Sequence, residues 1–244
     1  MAADSTNIGI SGPINPDNGS FDYIPLGPED NGSSEKLTYS ALGLSPVIPA
    51  EYDGLKPHYD PNPHYFVYGE PLDSDRGKQL VKLRPGDHFF PVASLAPVRK
   101  ETYAIRTKEA IADDQKGRMA KYVIGWYEIA AILQVSETQN RHRITAIRGS
   151  VYVPQTMEAQ VRECAHFKRP NDVFVCAVGV KDGRETCLLK SAKQLTEAGA
   201  PFKPNKFGLM VYGNKTFPRG WKWILDEARL APLLSEVKNL GVSH

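Results

Sequence analysis

The stretch from Leu83 to Leu133 begins LRPGDHFFPVASLAP and, after a charged interruption, resumes as KYVIGWYEIAAIL from Lys121. Proline presets φ and glycine relieves a tight turn, so Arg84-Pro85-Gly86-Asp87 reads as a loop into a strand carrying Phe89, Phe90 and Val92. The second run, Tyr122 to Ile132, holds Val123, Ile124, Trp126, Tyr127, Ile129 and Ile132 with few charges, and is expected as a largely buried strand. The rest of the chain is read outward from these two runs.

Upstream, residues 1 to 75 are rich in Gly, Pro, Asn and Asp, yet Phe21, Tyr23, Ile24, Tyr39, Tyr59 and Tyr65 recur through them. Disordered chain usually has fewer such residues, so an ordered irregular segment wrapped over the body is expected, with a short strand near Ser20 to Ile24 and a turn at Pro16-Asp17-Asn18-Gly19. Arg76 to Lys82 reads as a polar approach. A short helix is expected over Thr107 to Ala112, a strand with a basic entry over Arg141 to Ile147, and a helix N-capped by Thr156 with Met157, Val161, Cys164 and Ala165 on one face. Val173 to Val180 reads as a strand, with an Asp182-Gly183 turn returning Thr186 to Leu189 as its hairpin partner. Ser191 to Ala198 reads as a short helix, Phe207 to Tyr212 as a strand, and the tail after Trp221 as helical, restarting at Pro232. The expected organisation is a single domain: an acidic irregular segment (1–75), a β-rich core (76–213) and a helical tail (214–244).

Of the 244 residues, 41% are hydrophobic and 24% charged, ordinary for a globular protein with a sizeable core. No run approaches the roughly 18 apolar residues of a membrane helix, and the N-terminus lacks a basic region followed by an apolar one, so a cytoplasmic protein without membrane contact is expected. The net charge of +2 conceals an asymmetry: residues 1 to 75 hold 12 acidic residues against Lys36 and Lys56, leaving 28 basic against 16 acidic residues afterwards. A basic body suits a polyanion such as nucleic acid, or the chain's own acidic segment. The three cysteines form no C-x-x-C and read as small core residues.

Three constellations carry chemistry. His58-Tyr59-Asp60 offers an imidazole and a carboxylate two residues apart, an acid–base pair or two thirds of a metal facial triad; equally, Asp60 before Pro61 starts a turn and His58 satisfies the loop. Asp87-His88 precedes Glu128, a carboxylate within an apolar strand that is paired, performs chemistry or is turned to solvent, while Asp87 suits a cap on the RPGD turn. Arg141, His142, Arg143 and Arg148, followed by Arg162, His166, Lys168 and Arg169, form a basic series suited to phosphate, with Trp126, Trp221 or Trp223 able to stack on a base; equally, the charges are scattered and solvated and the tryptophans belong to the core. No phosphate-binding glycine loop, dinucleotide fingerprint, nucleophile elbow or zinc spacing occurs, and no metal ligand set is assigned.

GPINPDNGSFDYIPL, PHYDPNPHYFVYGEP, LRPGDHFF, YVIGWYEI and AHFKRPNDVFVCAVGVKDGRETCLLKSA occur in this order between Ile8 and Ala192, and together they resemble the nucleotide modification associated domain 3 family. The resemblance implies a prokaryotic or phage protein linked to the modification of bases or nucleotides, and carries no settled reaction. Before Ala165-His166 stands Cys164, where an amide-type residue is expected. The turn into a strand followed by Y-x-I-G-x-Y-E-I also looks like PUA-like barrels, which hold a nucleotide or flipped base beside their strands.

The expected fold is therefore α+β: a PUA-like, partly closed β-barrel core, an irregular N-terminal wrapping segment and C-terminal helices. The expected function is binding of a nucleotide or modified base, with nucleic acid or nucleotide as partner. Arg143, Lys168 and Arg169 hold phosphate; Trp126 or Tyr127 stacks on the base, beside Glu128 and His166; His58 and Asp60 read a base edge or act as an acid–base pair. The alternatives are an enzyme working through His58 and Asp60, and an interaction subunit without chemistry. No cofactor or oligomeric state follows from the residues.

Overall fold

A computed structural model describes residues 12–25, 38–48, 50–100, 103, 117–138, 141–148, 152–168, 173–199, 201–213 and 227–241. The elements are β1 (Val67–Pro71), α1 (Asp75–Leu80), β2 (His88–Phe89), β3 (Val92–Leu95), β4 (Ala120–Gly125), β5 (Tyr127–Thr138), β6 (Arg141–Arg148), α2 (Gln155–Arg162), β7 (Phe174–Gly179), β8 (Leu188–Gln194), α3 (Lys206–Tyr212) and α4 (Glu227–Asn239). Among the described residues, 3-10 turns at Ser45–Val47 and Ala50–Tyr52 precede β1, and one at Ala165–Lys168 follows α2. The helix expected at 107–112 and the residues Trp221, Trp223 and Arg169 lie outside the described residues.

Mixed helices and sheets make the protein α+β. One sheet runs β1-β7-β5-β2 with β6 also on β5, and the other runs β3-β4-β8. All named pairings are antiparallel. The single buried strand expected from Tyr122 to Ile132 is two strands, β4 and β5, parted by Trp126, where the chain passes from one sheet to the other. Cys187 O accepts the Trp126 N–H (3.0 Å) and Arg184 donates to Trp126 O (3.3 Å), so a loop, not a neighbouring strand, satisfies this residue's backbone. A Cβ at Gly125 would lie 2.7 Å from Cys187 O, so only glycine admits that loop so closely. The expected barrel is not formed: the sheets are not closed on each other.

β7, FVCAVG, is buried throughout because both faces of its sheet are covered. Val175 and Ala177 pack with Tyr127, Ile129, Ile132 and the α1 residue Leu80, while Phe174, Cys176 and Val178 pack with Leu133, Val135 and the α2 residue Val161. α1 begins at Ser74, whose hydroxyl accepts the Gly77 N–H (2.9 Å), and replaces the polar approach expected there. α2 is preceded by Pro154, not Thr156. The wrapping segment is ordered where described. Pro13 and Ala96 form a parallel bridge, the chain turns at residues 16–18, Ile14 bridges back to Phe21 in place of the expected short strand, and Ile24 and Tyr39 are buried.

Other local expectations are corrected. Thr186 to Leu189 does not pair with β7, whose edges are taken by β1 and β5; β8 instead joins β4, and it occupies the segment expected as a helix from Ser191. Phe207 to Tyr212 is helical, capped by Asn205, which accepts the Gly208 N–H (2.8 Å), and closed by Gly213 in the left-handed region (φ 65°). Among the described residues no helix is long and apolar enough to cross a membrane.

Candidate functional site

Two segments far apart in sequence meet beside β1. The loop ahead of β1 supplies His58 and Asp60; its Asp60 N–H donates to His58 O (3.1 Å), closing a tight turn that brings both side chains together, and the Asp60–Pro61 peptide is cis. Between them Tyr59 is buried, stacked on Tyr23. The 3-10 turn after α2 supplies His166. Two buried amides join the segments: Asn62 Nδ2 donates to Glu163 O (3.0 Å), and Gln160 Nε2 donates to Tyr65 O (2.8 Å) and Gly179 O (3.1 Å).

The donor atoms of His58, Asp60 and His166 all lie within 4.8 Å of one another, a spacing able to hold a metal ion. The Asp60 and His166 side chains are only 4% and 6% exposed. His166 Nε2 stands 3.4 Å from Asp60 Oδ2, beyond the roughly 2.7–3.2 Å of an ordinary N–H···O bond. Gly69 N–H donates to Asp60 Oδ1 (3.2 Å), and the rings of His58 and His166 meet edge to face at 5.6 Å. His166 Nδ1 is buried with no hydrogen-bond partner among the described residues.

The surroundings are apolar and hold their protons. Burial first, then a hydrogen bond and proximity to Cys176, then the Asp60 charge, push the Cys164 thiol well above its ordinary range. Burial and then the Asp60 charge raise Tyr23; in Tyr68, burial and Glu70 precede Asp60, and in Tyr127, burial and Cys187 precede it. Tyr68 donates to Glu70, which also pairs with Arg76 (3.2 Å). The arrangement offers two imidazoles and one carboxylate at the edge of a sheet, chemistry suited to proton transfer or metal ligation.

Of the residues expected to act, the structure unites His58, Asp60 and His166 and leaves the others apart. Tyr127 is fully buried, with its hydroxyl donating to Ala177 O (3.4 Å), so its ring has no free face for a base. Trp126 is half-buried, with Arg184 over its ring at 4.9 Å and Lys238 at 5.9 Å. Glu128 is exposed and opposite His88 in the β2–β5 register, and Asp87 caps its turn by accepting the Arg84 N–H (2.7 Å). Arg143 is exposed on β6; the Lys168 side chain and Arg169 lie outside what the structure describes. Sequence reasoning passed over Gly69, Asn62 and Gln160. For Gly69 a signal existed, since glycine inside a strand often marks a close approach: a Cβ there would lie 2.4 Å from Cys164 Sγ and 3.5 Å from His166 Cδ2.

A search among curated proteins found no match, and neither did a search among solved structures. The model of one family, nucleotide modification associated domain 3, matches residues 1–214, which include β1, α2, the His58–Asp60 loop and the His166 turn. The chain belongs to the nucleotide modification associated domain 3 family.

Proposed function

We propose that the protein is an enzyme of nucleotide or base modification whose reacting groups are His58, Asp60 and His166. The observation that carries this reading is the meeting of two imidazoles and a nearly buried carboxylate, drawn from separate segments and held by Asn62 and Gln160. Buried ionisable groups are costly to gather, and such clusters are found most often where chemistry is done. Membership of a family associated with nucleotide modification supports a nucleotide or base as the substrate, and the basic surplus after residue 76 suits a phosphate-bearing molecule. Catalysis is favoured over simple holding of a base because Tyr127 is closed within the core and Trp126 is already engaged by Arg184 and Lys238.

The test compares cells expressing the wild-type chain with cells expressing Asp60→Asn, an isosteric change. Nucleosides from DNA, RNA and the free nucleotide pool are analysed by mass spectrometry. The wild type is expected to yield a nucleoside of altered mass that falls on the order of a hundredfold with Asp60→Asn, while the purified variant keeps a cooperative unfolding transition. No altered nucleoside with the wild type, or equal amounts with both, refutes the reading.

A further inference from the structure

We propose that His58, Asp60 and His166 bind one divalent first-row transition-metal ion through two imidazole nitrogens and one carboxylate oxygen, leaving its remaining positions open. The inference deepens the proposed reaction centre and rests on it. Three features of the cluster point to a cation. Asp60, 4% exposed, accepts a single hydrogen bond among the described residues, from Gly69, leaving a buried carboxylate far short of the partners it requires. Its second oxygen faces His166 Nε2 at 3.4 Å. That is long for a hydrogen bond, yet two donors each about 2.1 Å from a shared ion at tetrahedral or octahedral angles stand roughly 3.0–3.4 Å apart. The second imidazole, His58, completes a set of three donors whose atoms are all within 4.8 Å of one another.

The donor chemistry narrows the ion. Calcium and magnesium take oxygen ligands, and magnesium keeps several waters; two imidazoles and one carboxylate suit iron(II), cobalt(II), zinc(II) and their neighbours, and three protein ligands leave room for substrate. The apolar wall of Cys164, Cys176 and Phe174 around the cluster lowers the local dielectric and strengthens the hold on the charge. Asn62 is a positioning residue, tying the loop of His58 and Asp60 to the turn of His166.

The full chain, stripped with EDTA and returned to metal-free buffer, is titrated with cobalt(II) chloride, read by visible absorption, with zinc(II) and magnesium(II) as competitors. One equivalent of cobalt is expected, displaced by zinc and not by magnesium. Asp60→Asn, His166→Gln and His58→Gln are each expected to weaken binding by about a hundredfold or more, at or above the upper end of losses from outer-shell changes. His58 is only partly buried, unlike His166, so His58→Gln supplies the arm expected to stay folded, checked by circular dichroism. The proposal is overturned if the folded wild type takes up no cobalt, or if folded His58→Gln binds it as tightly as the wild type. Cobalt binding without an altered nucleoside in cells keeps the metal site and removes the proposed reaction. An Asp60-dependent nucleoside from a protein that binds no metal removes the metal site and leaves the acid–base centre.

Discussion

Gly69 is the residue on which the site's packing turns. It lies in β1, gives its N–H to Asp60, and its missing side chain makes room for Cys164 and Cys176. In Gly69→Ala the new methyl would sit 2.4 Å from Cys164 Sγ and 3.2 Å from Cys176 Sγ, both of them fully buried. Overpacking of this kind costs about 1–3 kcal/mol, and the displaced sulfur moves the turn that carries His166. Urea denaturation is expected to show that loss, and Cys164→Ala in the same chain to restore most of it; additive effects of the two changes would sink the account. The His58-Asp60 pair was legible in sequence because its members stand two residues apart. His166 was legible only as one of a basic series, since nothing in its local pattern says that α2 packs on β7 and delivers it to β1.

Elements explain which expectations held. The Asp182-Gly183 turn forms, with both residues at positive φ, yet no hairpin follows, because β1 and β5 already occupy both edges of β7. Residues from Ser191 have fair helix propensity, but pairing with β4 overrides it. The apolar run FGLMVY has no period that separates a buried strand from a short helix, and the decision belongs to Asn205 and Gly213 at its ends. Trp126 resets the phase between β4 and β5, which is why its neighbour Tyr127 points into the core instead of towards a ligand. At this scale Asn62→Ala is the informative change. It cuts the link from the loop to Glu163 O and leaves a partly buried carbonyl without its donor, a loss of about 1 kcal/mol. Affinity for cobalt is expected to fall with it by about tenfold, whereas a purely structural Asn62 would lower the urea midpoint and leave metal affinity unchanged.

Across the whole molecule, the acidic segment and the basic body do meet, through Asp22–Lys100 (2.9 Å) and Asp17–Arg99 (3.8 Å). Exposed pairs of this kind contribute only about 0–1 kcal/mol each; the burial of Ile14, Ile24 and Tyr39 holds the segment down. The pH dependence of stability has a different origin, two histidines outside the candidate site. Burial lowers His64, with the Lys181 charge adding to it and Glu185 opposing. Burial also lowers His88, opposed by Glu128, reinforced by Lys238 and opposed again by Asp87. Each folded imidazole therefore gives up its proton more readily than in the unfolded chain, where the value is about 6.5. Between the lowered values and that reference the unfolded chain binds more protons, so these two groups contribute stability that is present above about pH 6.5 and lost as the pH falls through the folded values. Urea midpoints measured from about pH 7.5 down to about pH 5 are expected to fall in this window. Replacing both His64 and His88 by Gln is expected to flatten the fall, and the same slope in wild type and double variant would show that burial of these imidazoles carries no such stability.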